Sequence, residues 1–340
     1  MASGQDEKVP KGDNKEEPKV ENVNRDISWP MVLYYVHLHI GALFGIAYIF
    51  TEAKIMTTLF ASLITLLAVL GTTAGAHRLW AHRSYTANSV LRVLLMISQT
   101  FLLQGSIYNW ILDHRLHHKY FRTDMDPYNN KKGLLHAYLI TNIKKKHPDY
   151  DKYAATIDMS DILADPIVMF QKRYYWLLVP IVGILLPWNA PVEYWGEHIL
   201  TSLAMLCFLR CTVALHLTLL INTSAYIWGI EEGDKSYANS NLVFFITKSH
   251  WPQYHYLLPW DYQTGEYGTY GEGCTSTFIR IWAAMGWATD LRTIDTDSVR
   301  RALVAAVETK KPVVECLNDA ENYSKTYNEN ELYLKPKLPL

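Results

Sequence analysis

The chain is poor in cysteine and almost without net charge. Its 340 residues hold four cysteines and 32 Lys+Arg against 33 Asp+Glu, for a formal net charge of -1. Cys207 and Cys211 sit inside an apolar run and the set shows no paired spacing, which excludes a zinc ribbon and a disulfide framework. With no surplus of positive charge, nucleic acid is not an expected partner. A third shortage is local. Residues 31 to 50 (MVLYYVHLHIGALFGIAYIF) and 56 to 75 (MTTLFASLITLLAVLGTTAG) contain no Asp, Glu, Lys or Arg. Each run reaches the roughly 20 residues that a helix needs to cross about 30 Å of hydrocarbon. Only TEAK and Ile55 separate them, so the pair reads as a tight helical hairpin.

Two more apolar runs follow, at 174 to 190 with Pro180 and at 199 to 222 with Arg210. A buried intramembrane arginine must be paired or face a polar interior, which marks Arg210 as structurally or functionally special. Residues 91 to 109 are apolar but include Gln99 and Gln104. They predict a helix at or dipping into the interface rather than a fifth span. Lys131, Lys132, Lys144, Lys145 and Lys146 lie between the second and third spans, whereas WNAPVEYWGEH between the last two has no Lys or Arg. The positive side is expected to face the cytosol, and four spans then place both termini and every histidine cluster there. Residues 1 to 28 are charged and predicted disordered, with no cleavable signal expected. Residues 29 to 304 form the membrane domain, and 305 to 340 a polar cytosolic tail. The predicted class is an all-α integral membrane protein: four transmembrane helices under a cytosolic helical cap.

What the chain does have is patterned histidine. HRLWAH supplies His77 and His82, DHRLHHKY supplies His114, His117 and His118, and PQYHY supplies His255. Spaced i, i+3 and i+4, the second cluster shares one helical face. His77 and His82 are five apart, so an ideal α-helix would not align them; a helix end or a bent backbone must do so. Neutral imidazoles suit iron and zinc, and two such clusters at cytosolic helix ends predict a metal centre at the mouth of the bundle. Asp113 and Asp124 are candidates to hold the outer imidazole nitrogens; solvated loop acids are the plain alternative.

These motifs identify a resemblance. GTTAGAHRLWAHRSY at 71 to 85, NWILDHRLHHKYFRTDMDPYN at 109 to 129, KKHP at 145 to 148, LRCTVALHLTLLINTSAY at 209 to 226 and YHYLLPWDYQTGEYG at 254 to 268 are similar to the membrane-bound acyl-CoA desaturases of the stearoyl-CoA (delta-9) type. The likeness covers roughly residues 28 to 300. It implies a mushroom-shaped endoplasmic-reticulum protein with two irons, O2-dependent insertion of a cis double bond into a fatty acyl-CoA, and electrons from NAD(P)H through a reductase and cytochrome b5.

The departures from that family are specific. Its NSAAH stands here as NTSAY, which keeps Asn222 as the expected water-holding residue but puts Tyr226 where a histidine belongs. Its HNYHH stands as PQYHY, so Pro252 and Tyr256 replace two more histidines and His255 alone remains. His250 lies two positions early. The resemblance implies that the first iron keeps His77, His82, His114, His118 and His255, while His117 belongs to the depleted second side. A tyrosine can ligate ferric iron; proline offers no side-chain donor. The resemblance also places Lys145, Lys146 and Asp113 near the CoA headgroup, with Leu112 in place of a neighbouring Arg and YLIT at 138 to 141 in place of HxGW. Gln104, Trp110 and Thr218 are candidate tunnel residues, though core packing also explains them. Three functions stay open: a lipid-binding family member with little or no desaturation, a working desaturase with rearranged ligation, and a one-iron oxidoreductase or a structural membrane protein.

Overall fold

A computed structural model describes residues 25 to 121, 123 to 128, 134 to 228, 255, 258 to 263, 273 to 294, 296 to 311, 315, 316 and 319. Side chains between 222 and 228 are not described; Asn222 and Tyr226 are among them, and His250, Pro252 and Tyr256 lie outside the described residues.

Among those residues, four helices are long and apolar enough to cross a membrane. Helix α1 (Trp29–Thr51) begins with a proline in its first turn, where no intrahelical N–H is needed. Helix α2 (Ile55–Leu70) runs on without a break into a π-helical stretch, Gly71–Ala81. The hairpin between them is fastened by Lys54, whose Nζ donates to the carbonyls of Trp195 and Gly196 at 2.7 and 2.6 Å. Helix α3 (Ser89–Thr100) is N-capped by the Asn88 side chain. Its 12 residues span only about 18 Å, so it packs against the bundle without crossing it, as Gln99 and Gln104 foretold.

Helix α4 (Ile107–Lys119), capped by Ser106, carries the second histidine cluster. The short helices α5 (Leu134–Tyr138), α6 (Tyr150–Ala154) and α7 (Ser160–Leu163) build the cap around it. The helix that carries the third apolar run starts at Pro166, kinks at Tyr174, where the run at 174 to 190 begins, and reaches Trp195 through α8 (Pro166–Leu178), a π-helical turn and α9 (Leu186–Trp195). Its first turn is capped by Asp165, whose carboxylate accepts from the N–H groups of Ile167 and Val168. The last span joins α10 (Ile199–Leu203), a π turn and α11 (Arg210–Trp228). Helices α12 (Cys274–Ala284) and α13 (Thr296–Thr309) complete the cap. One small antiparallel ribbon pairs β1 (Thr86–Ala87) with β2 (Ala288–Thr289).

Close helix approach depends on glycine, as Gly71 and Gly41 show. A Cβ on Gly71 would lie 2.2 Å from the Gln99 backbone nitrogen, and one on Gly41 2.3 Å from the Phe208 ring. Arg210 is 1% exposed. Its guanidinium donates to the carbonyls of Leu206 (2.6 Å), Phe101 (2.7 Å) and Gly183 (3.0 Å). Phe101 ends α3, so the cation satisfies carbonyls that this helix leaves open, at the negative end of its dipole.

Candidate metal centre

The π-helix answers the spacing question. In this geometry the backbone hydrogen bond joins residues i and i+5 rather than i and i+4, and the wider turn brings residues five apart nearer one face. The His82 N–H donates to the His77 carbonyl at 3.0 Å, and the two imidazoles meet with centroids 4.9 Å apart. Helix α4 contributes His114 and His118 from one face, centroids 4.7 Å apart. His255 enters from far along the chain. The Nε2 atoms converge in pairs: His77 and His255 at 3.1 Å, His82 and His114 at 2.8 Å, His118 and His255 at 3.0 Å. Ligand atoms of His77, His82, His114 and His255 all lie within 4.8 Å of one another.

The surroundings hold this group rigidly. Arg78, 1% exposed, reaches from the π-helix to the Tyr262 carbonyl at 2.6 Å and to Ser276 at 3.0 Å. Trp80 donates to Asp165 at 2.8 Å. Arg115 of α4 grips Asp161 with two parallel hydrogen bonds of 2.9 and 2.8 Å and donates to the Trp80 carbonyl at 3.0 Å. Partial burial raises the Asp161 pKa, but Arg115 and Arg83 outweigh it and hold the carboxyl at about 2. Burial, reinforced by neighbouring imidazoles, pushes His82, His114, His118 and His255 well below the usual histidine range. They are neutral at physiological pH, the form that ligates metals.

Searched against protein-family models, the chain matches none. Among curated proteins it is 40% identical over 284 residues to an acyl-CoA Delta-9 desaturase of Acheta domesticus, covering 83% of this chain and 79% of that protein. The chain belongs to the acyl-CoA desaturase family. An acyl-CoA Delta12-desaturase of the same species is also 40% identical, over 87% of this chain and 84% of its own length. An acyl-CoA Delta(11) desaturase of Choristoneura rosaceana is 38% identical over 81% and 82%. Three double-bond positions at nearly equal identity mean that overall similarity to these desaturases does not select one.

The desaturase donor set fits a metal ion. His255 Nε2 faces two other imidazole nitrogens, yet a single ring nitrogen either carries a proton or offers one lone pair. Hydrogen bonding cannot serve both contacts well, whereas a cation among the three can. Four to five neutral imidazoles suit iron in this desaturase setting. His117 stands aside: its Nδ1 donates to the buried Asp126 carboxylate at 2.8 Å. Asp126, which the sequence reading did not single out, takes up the His117 ring proton; DMDPY offers two acids, and the folded turn puts the second of them at His117.

Asp113 instead points to the cap. It accepts from Lys146 at 3.2 Å and, by a short contact, from the Tyr150 hydroxyl, while Lys146 also lies 3.7 Å from the centre of the Tyr150 ring. Lys145 is separate, paired with Asp26 at 3.3 Å on the exposed surface. Tyr150 was marked by no motif. Of the tunnel candidates, Thr218 Oγ1 donates to Gln104 Oε1 at 3.0 Å, and the buried Gln104 Nε2 has no partner among the described residues. Trp110 stacks on His114 with centroids 4.9 Å apart and planes 17° from parallel, which places it at the edge of the histidine group.

Proposed function

We propose that this desaturase-family protein binds fatty acyl-CoA in the endoplasmic-reticulum membrane, with both termini cytosolic, and has weak or absent O2-dependent desaturase activity. One iron is held by His77, His82, His114, His118 and His255. The observation that carries this reading is the sequence at the second iron's positions: Tyr226, Pro252 and Tyr256, which leave His117 as the one histidine assigned to that side. When bound, iron supplies redox chemistry toward dioxygen; removing hydrogen from an unactivated methylene asks more of it than one all-histidine site is suited to give.

The chain's own residues keep clear roles. Buried neutral imidazoles present lone pairs, and Trp110 shields His114 from water. Gln104 and Thr218 provide a polar pair in the predicted acyl path, and the unsatisfied Gln104 amide favours a bound group there. Lys146 and Tyr150 suit a phosphate or adenine-bearing headgroup through charge and an aromatic face. Residues 1 to 28 and 305 to 340 act as cytosolic tails flanking the membrane domain.

The alternative is an active desaturase, delta-9 or related, fed by cytochrome b5 and its reductase, with His250, Tyr226 or Tyr256 completing the ligand set. The 40% identity over 83% of the chain to a named desaturase favours it. Expression in desaturase-deficient eukaryotic cells, with products read by mass spectrometry, separates the two. The proposal expects no new unsaturated chains from abundant, inserted protein and a gain on combining Tyr226→His, Pro252→His and Tyr256→His. Products from the parent that vanish with His77→Ala and His114→Ala would overturn it.

A further inference from the structure

A second histidine contact lies outside the metal centre. His39 of α1 and His216 of α11 face each other with Nε2 atoms 3.0 Å apart, the same separation found between the paired nitrogens of the main cluster. The rings meet edge to face at 5.1 Å. Each outer nitrogen is held: His39 Nδ1 lies 2.6 Å from the Tyr35 carbonyl, and His216 Nδ1 lies 2.6 Å from the Tyr138 hydroxyl of α5. A carbonyl only accepts, so His39 carries its proton on Nδ1 and its Nε2 is a lone pair. Tyr138 can donate or accept, which leaves His216 free to take either tautomer.

We infer that His39 and His216 form a second, two-histidine site for a borderline divalent transition-metal ion such as zinc or copper. Both rings already have the outer-shell arrangement that ligating imidazoles require, an oxygen on Nδ1 and Nε2 aimed at a common point. On binding, the His216 proton moves from Nε2 to Nδ1 and is donated to the Tyr138 oxygen; the Tyr138 O–H turns to solvent, and no proton leaves the site. Both rings are partly exposed. No Cys, Asp, Glu or third His completes the group among the described residues. The remaining coordination positions therefore belong to water or a small anion, and binding is weaker than at the five-histidine centre. Without metal the same atoms form a neutral chain, Tyr138 to His216 to His39 to the Tyr35 carbonyl.

The test uses full-length protein in detergent, loaded with zinc, dialysed and counted by plasma mass spectrometry, with copper(II) electron paramagnetic resonance as a second readout. Wild type is expected to hold one more zinc than His216→Asn or His39→Gln, with iron content unchanged and the fold retained in both. Copper should show a two-nitrogen signal that both variants lose. Equal zinc counts in wild type and folded variants overturn the inference and leave only the hydrogen-bonded chain. Should those substitutions cost the fold, Tyr138→Phe decides: zinc affinity lowered about 10-fold supports the site, and unchanged affinity overturns it.

Discussion

Asp126→Asn tests how many irons the protein holds. Asp126 and His117 are each 1% exposed, and one carboxylate oxygen accepts from both His117 Nδ1 (2.8 Å) and the Tyr128 N–H (2.9 Å). The other oxygen is buried with no partner among the described residues. An asparagine keeps one acceptor but loses the charge and places an amide N–H₂ where nothing receives it. A hydrogen bond to a charged group contributes about 1.5–3 kcal/mol, so the variant should lose roughly that much. At about 2–4 °C per kcal/mol for chains somewhat smaller than this one, melting should fall by roughly 3–12 °C. Tryptophan-fluorescence melting in detergent measures it, and iron is counted on the same sample. Because His117 serves the depleted side, iron per chain should equal that of the parent. A parent with two irons that falls to one in Asp126→Asn would refute the one-iron reasoning, since loss of an outer carboxylate weakens metal binding about 10–100-fold.

Removing His82 or His114 should, by contrast, lower iron affinity by more than about 100-fold, beyond the range expected for an outer partner; retained iron in a folded His114→Ala protein would exclude that residue as a ligand. Metal-free protein should lose stability as pH falls below about 6.5, because His82, His114, His118 and His255 are held neutral in the fold and take up protons when unfolded. The stabilisation is present above the unfolded-state value and is lost as pH falls through it; a flat melting profile from pH 7 to 5 would contradict the burial of the cluster. Arg210→Met should destabilise by about 3 kcal/mol or more, since it strands the Phe101 and Gly183 carbonyls in an apolar interior, and unchanged melting would show that water replaces the guanidinium. Lys146→Ala should weaken palmitoyl-CoA binding about 10-fold and more than Lys145→Ala, whose partner Asp26 is far out on the surface; equal effects would remove Lys146 from the headgroup site.

Legibility in the sequence followed the range of the interaction. Spans were legible because a charge-free run of about 20 residues has few other destinations, and His114 with His118 because i and i+4 meet on any α-helix. The His77–His82 pair was legible as a problem but not as a solution. A π-helix is not favoured by local propensity; it persists here in a stretch that begins at Gly71, where α2 touches the α3 backbone, and ends where Arg78 and Trp80 are tied to distant partners and Tyr85 donates back to the Ala74 carbonyl. Arg210 announced itself by its cost, yet its partners are backbone carbonyls, which no side-chain pattern encodes. Asp126 is brought to His117 by one turn, and the start of α8 is set by an Asp-Pro cap that looks polar in a window of hydropathy. His39 and His216 are 177 residues apart; His39 lies outside the family motifs, and nothing in the segment at 209 to 226 links His216 to it. The residues that family patterns single out therefore gather at one centre, while the contact that no pattern marks falls between two membrane helices, where an ionisable side chain persists only with a partner. That requirement makes the His39–His216 contact a built feature of this chain rather than an accident of packing.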